Sequence, residues 1–526
     1  MLLEESTRFD PQQFITCLAS IYDESPELIE THISWVFLLR SDVYKVKKPV
    51  NLGFLDFSSL SDRKHYCEEE LRLNGRFSDL YLEVVPIGQK DDHYTLGDGP
   101  EPIEFAVRMQ RFPSDTLFLT LLEQDRLERL HLESLGERIG TFHRFGCRHL
   151  EYPEGPKPQD ILKHSLDNLE GLSGLLEASD QAFEEALDQI RAWSQTEYRQ
   201  HQPLFIERHE SGVMVEAHGD LHLRNIVLLK DVPTPFDGIE FSETLRMLDP
   251  MNEIAFLIMD LEVRGAFKLG ALFLNRYLEI AEDYAGLALL KFYKVYRACV
   301  RAKIALIDRS QSATPEVRHQ ATLEAKRYLD YALALTQATS KPILMLLHGY
   351  SGSGKTTLAR ALMPELEAIH LRTDQIRKSL EGLAPHSPSD PNERSRIYHP
   401  EQRDLVYQRM VEWGEVTIKS GFSLLLDATF LKASSRARAL KMAHKLGVPP
   451  LILSIACNDA TTRSRIEERA EKALDASEAT YAVYLQQKAD EDPLSPEEME
   501  ITLRIDSSNP IDWPQLLERI RLSQST

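Results

Sequence analysis

No stretch of this chain approaches the ~18 consecutive apolar residues that a membrane-crossing helix needs. Met1 to Asp10 is polar and acidic, so a secretory signal is not expected. Cysteine is sparse: Cys17, Cys67, Cys147, Cys299 and Cys457 are scattered, odd in number and never spaced Cys-x-x-Cys. That pattern excludes a disulfide framework and a zinc site, and it fits a reducing cytoplasm. Repeats and low-complexity tracts are absent. Basic residues are in the minority, 61 Lys and Arg against 82 Asp and Glu, for a net charge of −21. Nucleic acid and anionic membranes are therefore not expected as partners, although a local basic cleft can still take a phosphate.

What is present is a globular composition, 42% hydrophobic and 27% charged. At 526 residues the chain is too long for one core, and two or three domains are expected. Two stretches resemble joints. Glu151 to Gln159 is rich in Pro and Gly and reads as a link between two lobes; Gln337 to Pro342 separates a long helical region from a buried-strand run. Upstream, strands are expected in His32–Val50 around a turn at Arg40–Asp42, then at Leu82–Ile87 and Phe105–Arg111, with a helix at Asp62–Phe77. Long helices follow at Arg126–Phe145, Asp160–Gln200 and from Pro250 to Thr336, around a strand-loop-strand section at Val213–Phe241. Downstream of the joint, strands at Ile343–His348, Leu424–Asp427 and Leu451–Cys457 alternate with helices. Such alternation implies a parallel sheet covered on both faces.

Gly349-Tyr-Ser351-Gly352-Ser353-Gly354-Lys355-Thr356-Thr357 fits Gly-x-x-x-x-Gly-Lys-[Ser/Thr], with an apolar strand before it and a helix after it. The glycines let backbone N–H groups turn inward around phosphate oxygens, and the helix N-terminus adds positive potential. Lys355 is expected to reach the β- and γ-phosphates of ATP, and Thr356 to offer its hydroxyl to Mg²⁺. The segment His370–Lys378 falls where the second strand of the sheet should end. Asp374 is accordingly expected to end a strand neighbouring the P-loop strand and to take an acceptor's hydroxyl proton, with Arg377 clamping the acceptor. The competing reading makes Asp374 the cap of a helix starting at Gln375. Asp427 closes the strand SLLLD, the place for a carboxylate near Mg²⁺ or the acceptor. Arg463, Arg465 and Arg469 lie on one helix as lid candidates, of which Arg465 is the choice.

These residues resemble the P-loop small-molecule kinases grouped with gluconate kinase, polynucleotide 5′-kinase and zeta toxin, over about Pro342 to Ser508. The resemblance rests on GYSGSGKTT, TDxxR and LLLDAT, and it implies that Asp374 is the acceptor base.

His218-Gly-Asp220-Leu-His-Leu-Arg-Asn225 has the His-x-Asp-x-x-x-x-Asn spacing of a kinase catalytic loop. Asp220 would orient or deprotonate the acceptor hydroxyl, Asn225 would bind Mg²⁺, and His218 would brace the loop. Asp237 in PFDGIEF is the expected second metal carboxylate, with Glu240 as the fallback. Upstream, Lys45 and Lys47 alternate on one face of a strand, and Glu68, Glu69 and Glu70 sit on the next helix; a Lys–Glu pair there positions the α- and β-phosphates. Lys45 with Glu70 is the choice, though the spacing alone leaves both partners open. Read in isolation, these residues are solvated surface. An adenine-holding hinge is expected near Met109 to Phe112. Arg297 and Arg301 lie one turn apart, either beside an anionic acceptor or paired with carboxylates.

HGDLHLRN and the following FDGIEF resemble the aminoglycoside phosphotransferase and choline kinase family, over roughly His32 to Leu306. Departures are the missing Gly-x-Gly-x-x-Gly loop and the stretch after Lys47, so antibiotic resistance is not implied. Taken together, the expected fold is multidomain α+β and α/β. A bilobal protein-kinase-like unit spans 1–336, with a small lobe to about 112 and a helical lobe from about 113. A linker covers 337–341, and a P-loop NTPase fold with a parallel sheet spans 342–526. The expected activity is ATP-dependent, Mg²⁺-requiring phosphoryl transfer to small-molecule hydroxyl acceptors. Rival readings are an active P-loop kinase with a regulatory front module, a nucleotide-driven switch, and a nucleic-acid end kinase. Asp374 and Arg377 favour chemistry over switching, and the acidity weighs against nucleic acid.

Overall fold

The computed structural model describes residues 9–525 apart from 52–54, 98, 100, 151–154, 178–179, 313, 383–399 and 473–479. Part of the joint expected at Glu151–Gln159 therefore lies outside the described residues. The chain forms two compact units. The first comprises Met1–Leu135, Phe145–His164 and Gln202–Asp260; the second comprises Gly136–Arg144, Ser165–His201 and Leu261–Thr526.

The first unit is built on an antiparallel sheet of β1 (Glu27–Glu30), β2 (Ser34–Leu38), β3 (Asp42–Lys47), β4 (Tyr81–Lys90), β5 (His93–Leu96) and β6 (Pro102–Gln110), in the order β1-β2-β3-β6-β4-β5. Ahead of it, a helix over Pro11–Tyr22 starts at Asp10, whose side chain accepts the Gln12 N–H. This helix and β1 were not expected, although Asp-Pro is a ready helix-start signal. The helix Leu60–Asn74 is capped by Ser59, which accepts the Asp62 N–H at 3.0 Å. It turns Arg63, Cys67, Glu70, Leu73 and Asn74 inward; Arg63 pairs there with Glu104, and Glu70 is fully buried. The remaining strands are β7 (Val215–Glu216), β8 (Ile226–Leu229), β9 (Val232–Pro235) and β10 (Met247–Leu248). β8 and β9 form a hairpin whose corner residues Lys230 and Asp231 take φ of 49° and 63°.

The second unit holds a parallel sheet of β11 (Leu344–His348), β12 (Ile369–Arg372), β13 (Leu424–Asp427), β14 (Pro450–Ala456) and β15 (Thr502–Asp506), in the order β12-β13-β11-β14-β15. β11 is central and buried along its whole length, as the near-continuous apolar run of a two-sided parallel strand requires. Helices pack on the sheet: Lys355–Glu365 on β11, β12 and β13, Pro400–Lys419 on β12 and β13, Ala433–Leu446 on β11, and Phe267–Ala281 on β12.

Several sequence expectations change. The helix expected over Arg126–Phe145 is Arg129–Thr141, followed by a wider π turn at Phe142–Gly146. The one expected over Asp160–Gln200 is two, Pro158–Ser173 and Gln181–Glu210. The segment from Pro250 to Thr336 is four helices, with Gly265 and Gly286 between them. Asp374 does not end a strand beside β11. β12 ends at Arg372, and β13 lies between β12 and β11.

Candidate active sites

In the first unit, the run from β7 through the short 3-10 turn Leu223–Asn225 carries the catalytic-loop residues. Two buried carboxylates on the helix Pro250–Val263 hold its backbone. Glu253 accepts the N–H groups of His218 and Gly219 at 2.8 and 3.0 Å, and Asp260 accepts that of Leu223 at 3.1 Å. His218 is buried, and burial pushes its pKa down, which favours the neutral ring. One tautomer then satisfies both contacts: Nε2–H donates to the Phe236 carbonyl at 2.9 Å and Nδ1 accepts the Asp220 N–H at 3.3 Å. His218 thus braces the loop. Asn225 donates its amide to the Asp220 carboxylate at 2.8 Å, which leaves the amide oxygen as the end able to take a cation.

Asp237 follows β9 in the left-handed region at φ 60°, a conformation Asp tolerates better than most residues. The Asp237 N–H donates to the Tyr81 hydroxyl at 3.0 Å, and the next amide, of Gly238, donates to Asn74 at 2.8 Å. Its carboxylate accepts Lys45 Nζ at 2.6 Å, and Lys45 also donates to Glu70 at 2.7 Å. Lys47 donates to the other Glu70 oxygen at 2.7 Å and to Glu240. Exposure separates the two lysines. The Lys47 side chain is fully buried, whereas Lys45 keeps 14% of its surface and meets the half-exposed Asp237. Burial alone would discharge Lys45, but Asp237, Glu70 and Glu240 outweigh it and hold its pKa well above the usual lysine value. Glu240, the fallback metal ligand, is instead sealed against Lys47, and burial raises its pKa. Glu69 faces away, toward Arg72 and Arg246, which leaves Glu70 as the carboxylate between the lysines. Met109 lies within β6 between Val43 and Tyr81, with its side chain buried; the chain leaves the sheet after Gln110, beyond which Phe112 packs on Phe236.

In the second unit, the loop after β11 turns into the helix Lys355–Glu365 through Gly354 at φ 91°. Gly349 has no room for a side chain, since a Cβ there would lie 2.6 Å from the Ile455 carbonyl oxygen. Lys355 is buried and donates to the Tyr350 carbonyl at 2.7 Å. Ser353 Oγ is buried without a hydrogen-bond partner among the described residues, an orphan that a phosphate oxygen would satisfy. The Ser351 N–H is taken by Gln487 Oε1 at 2.8 Å, from the helix Tyr481–Asp490, and Gln487 Nε2 returns a bond to Ser351 Oγ at 3.0 Å. Gly352 completes the loop against Ile466, and Thr357 is exposed on the first turn of the helix.

Thr356 donates its hydroxyl to Asp427 at 2.8 Å. Burial works against the Asp427 charge, but the His370 hydrogen bond at 3.2 Å and the Arg372 and Lys355 charges bring its pKa down to about 2. Asp427 is therefore charged near neutral pH and holds the Thr356 hydroxyl. Asp374 lies in the first turn of the helix Thr373–Leu380, whose N-cap is Arg372 without a side-chain cap bond, so the capping reading is not what the structure shows. Asp374 is bonded to Arg377 at 2.8 Å. Arg465 reaches back to Ser507 and to the Ser353 carbonyl beneath the P-loop, and Arg463 pairs outward with Glu467. The Arg469 side chain lies outside the described residues. Arg301 meets Glu324 at 3.7 Å, as the carboxylate-pairing alternative for that helix requires.

Residues 344–494 match the AAA domain family. The second unit carries a P-loop kinase domain. A protein of Mycobacterium tuberculosis whose name records no function is 29% identical over 432 residues, covering 81% of this chain and 83% of the relative. Among solved structures, a choline kinase from Cryptosporidium parvum is 12% identical, covers 60% of this chain and 90% of its own, and has a TM-score of 0.38. An APS kinase from Mycobacterium tuberculosis is 18% identical, covers 36% of this chain and all of its own, and has a TM-score of 0.26. The P-loop domain and the kinase-like catalytic loop support a phosphotransferase. Among the described residues, no helix is long and apolar enough to cross a membrane.

Proposed function

We propose that the chain holds two ATP-dependent phosphotransferase sites, each passing the γ-phosphoryl group to a hydroxyl of a small-molecule acceptor. The observation that carries this reading is the Glu70–Lys45–Asp237 chain of ion pairs, which draws three separate segments to one point beside Asp220 and Asn225. A pure binding module has no need of that arrangement. In the first site, Lys45, fixed by Glu70, grips phosphate oxygens, and Met109 to Phe112 border the adenine. Asn225 and Asp237 supply the hard oxygen donors that suit Mg²⁺, and the Asp237 carboxylate, ion-paired with Lys45 and half-exposed, supports this reading. Asp220 orients the acceptor hydroxyl and takes its proton.

In the second site, the inward N–H groups of the P-loop, Ser353 Oγ and Lys355 cradle the phosphates, while Thr356 held by Asp427 offers oxygen to Mg²⁺. Asp374 takes the acceptor proton, and Arg377 and Arg465 offset negative charge. Bound Mg²⁺ would supply positive charge to the phosphate oxygens in both sites. The cytoplasm suits five cysteines that form no disulfide. The test is acceptor-dependent ATP consumption across a panel of hydroxyl metabolites, with Lys355→Ala and Asp220→Ala chains in parallel. Each substitution should remove its own acceptor's phosphorylation and leave the other's. Turnover untouched by either would overturn the reading.

A further inference from the structure

The edge of a parallel sheet presents backbone groups that need partners. β12 is such an edge, since β13 is its one strand neighbour among the described residues. On its outer side the side chain of Asn275, from the helix Phe267–Ala281, replaces a missing strand. Asn275 Oδ1 accepts the His370 N–H at 2.8 Å, and Asn275 Nδ2 donates to the Ala368 carbonyl at 3.0 Å. The same amide donates to Ala271 of its own helix at 2.9 Å, so its direction is fixed, and the residue is buried. One turn on, Glu279 is ion-paired with Arg276 at 2.8 Å, and the charge of Arg372 stabilises the Glu279 carboxylate. Lys268, at the start of the helix, meets Glu365 at the end of the P-loop helix at 2.7 Å. The helix therefore grips both β12 and the helix that follows the P-loop.

The chain of contacts continues to the phosphate site. His370, whose backbone Asn275 pins, bonds through Nε2 to Asp427 at 3.2 Å, and Asp427 holds the Thr356 hydroxyl at 2.8 Å. Four residues thus connect a helix outside the P-loop motif to the oxygen assigned to the metal. We infer that Asn275 is a positioning residue of the P-loop site, fixing through His370 the orientation of the Asp427 carboxylate that holds Thr356. This rests on the P-loop reading above. No motif marks Asn275, which lies 80 residues before Lys355.

Groups that orient a metal ligand from behind typically affect metal affinity by about 10- to 100-fold when removed. The experiment is calorimetric ADP binding to the full chain, with and without Mg²⁺, at the nucleotide site that Lys355→Ala removes. In Asn275→Ala, the factor by which Mg²⁺ tightens ADP binding should fall by roughly tenfold, while Mg²⁺-free affinity stays near the parent value. His370→Ala, which leaves Asn275 and its backbone partners intact, should give the same fall. Because each is a ratio of affinities, neither depends on the fraction of chains that fold. An unchanged ratio in Asn275→Ala overturns the inference, as does a change in His370→Ala alone. A parallel loss with and without Mg²⁺ also overturns it, because it marks plain structural damage. If Lys355→Ala removes no nucleotide site at all, the P-loop reading itself fails, a result distinct from the other three.

Discussion

Glu70 receives both lysines of β3, Lys45 on one oxygen and Lys47 on the other, each at 2.7 Å. The shared carboxylate makes the two lysines look alike, but their surroundings give them different duties. Lys47 is sealed between Glu70 and Glu240, so Lys47→Met strands a buried carboxylate and should lower the stability of the first unit by about 3 kcal/mol or more. Lys45→Met should cost less stability and instead weaken Mg-ATP binding. Urea denaturation and calorimetry on the two variants read these effects, and the opposite pattern would exchange the assignments.

Asp220 and Asp237 should separate binding from chemistry. Asp237→Asn keeps the shape and tolerates φ 60° but weakens the cation site, so Mg²⁺-dependent ATP binding should fall. Asp220→Asn should spare binding and stop transfer, because a base acts at the hydroxyl in the transition state. A first site that binds no Mg-ATP even in the parent chain would favour the regulatory-module rival.

Asp374→Asn should leave ATP affinity of the P-loop site nearly unchanged and cut phosphoryl transfer by ~10²-fold or more, the scale of general-base catalysis. Asn keeps a hydrogen bond to Arg377 but cannot take a proton. Full acceptor phosphorylation by this variant under saturating acceptor removes Asp374 from the chemistry.

Glu216 gives a pH prediction. Burial opposes its charge, but the Arg72 hydrogen bond and the Arg76 and Arg246 contacts bring its pKa from 4.5 down to about 2. A carboxylate depressed in the fold stabilises it above the unfolded value, and that contribution is lost as pH falls through the folded value. Stability of the first unit should therefore decline between pH 4.5 and about 2. Glu216→Gln should be less stable at neutral pH and show a shallower acid decline, read from urea midpoints across that range.

Both phosphate-handling motifs were legible because each is a short contiguous run whose chemistry depends on spacing within one turn or loop. Lys45 and Lys47 were not separable, because period-2 alternation puts both on one face and only burial tells them apart. The position of Asp374 was misread for a related reason. A parallel sheet's strand order is set by crossovers, so the second strand in sequence is not the neighbour of the first in space. Glu253, Asp260 and Asn275 were missed as lone polar residues in apolar helices. Such residues could have been flagged, since a buried polar group needs a partner, but nothing in the sequence names the partner.

The grip of Gln487 on Ser351 has an energetic consequence for every affinity measured at the P-loop. A side chain of the same unit, already in place beside it, competes with phosphate for an N–H group. Lys355 has likewise settled on the Tyr350 carbonyl. Measured nucleotide affinity is thus a net exchange, in which bonds to phosphate form as bonds within the protein break. Removing the Gln487 amide spares one of those breakages, so Gln487→Ala should bind nucleotide more tightly.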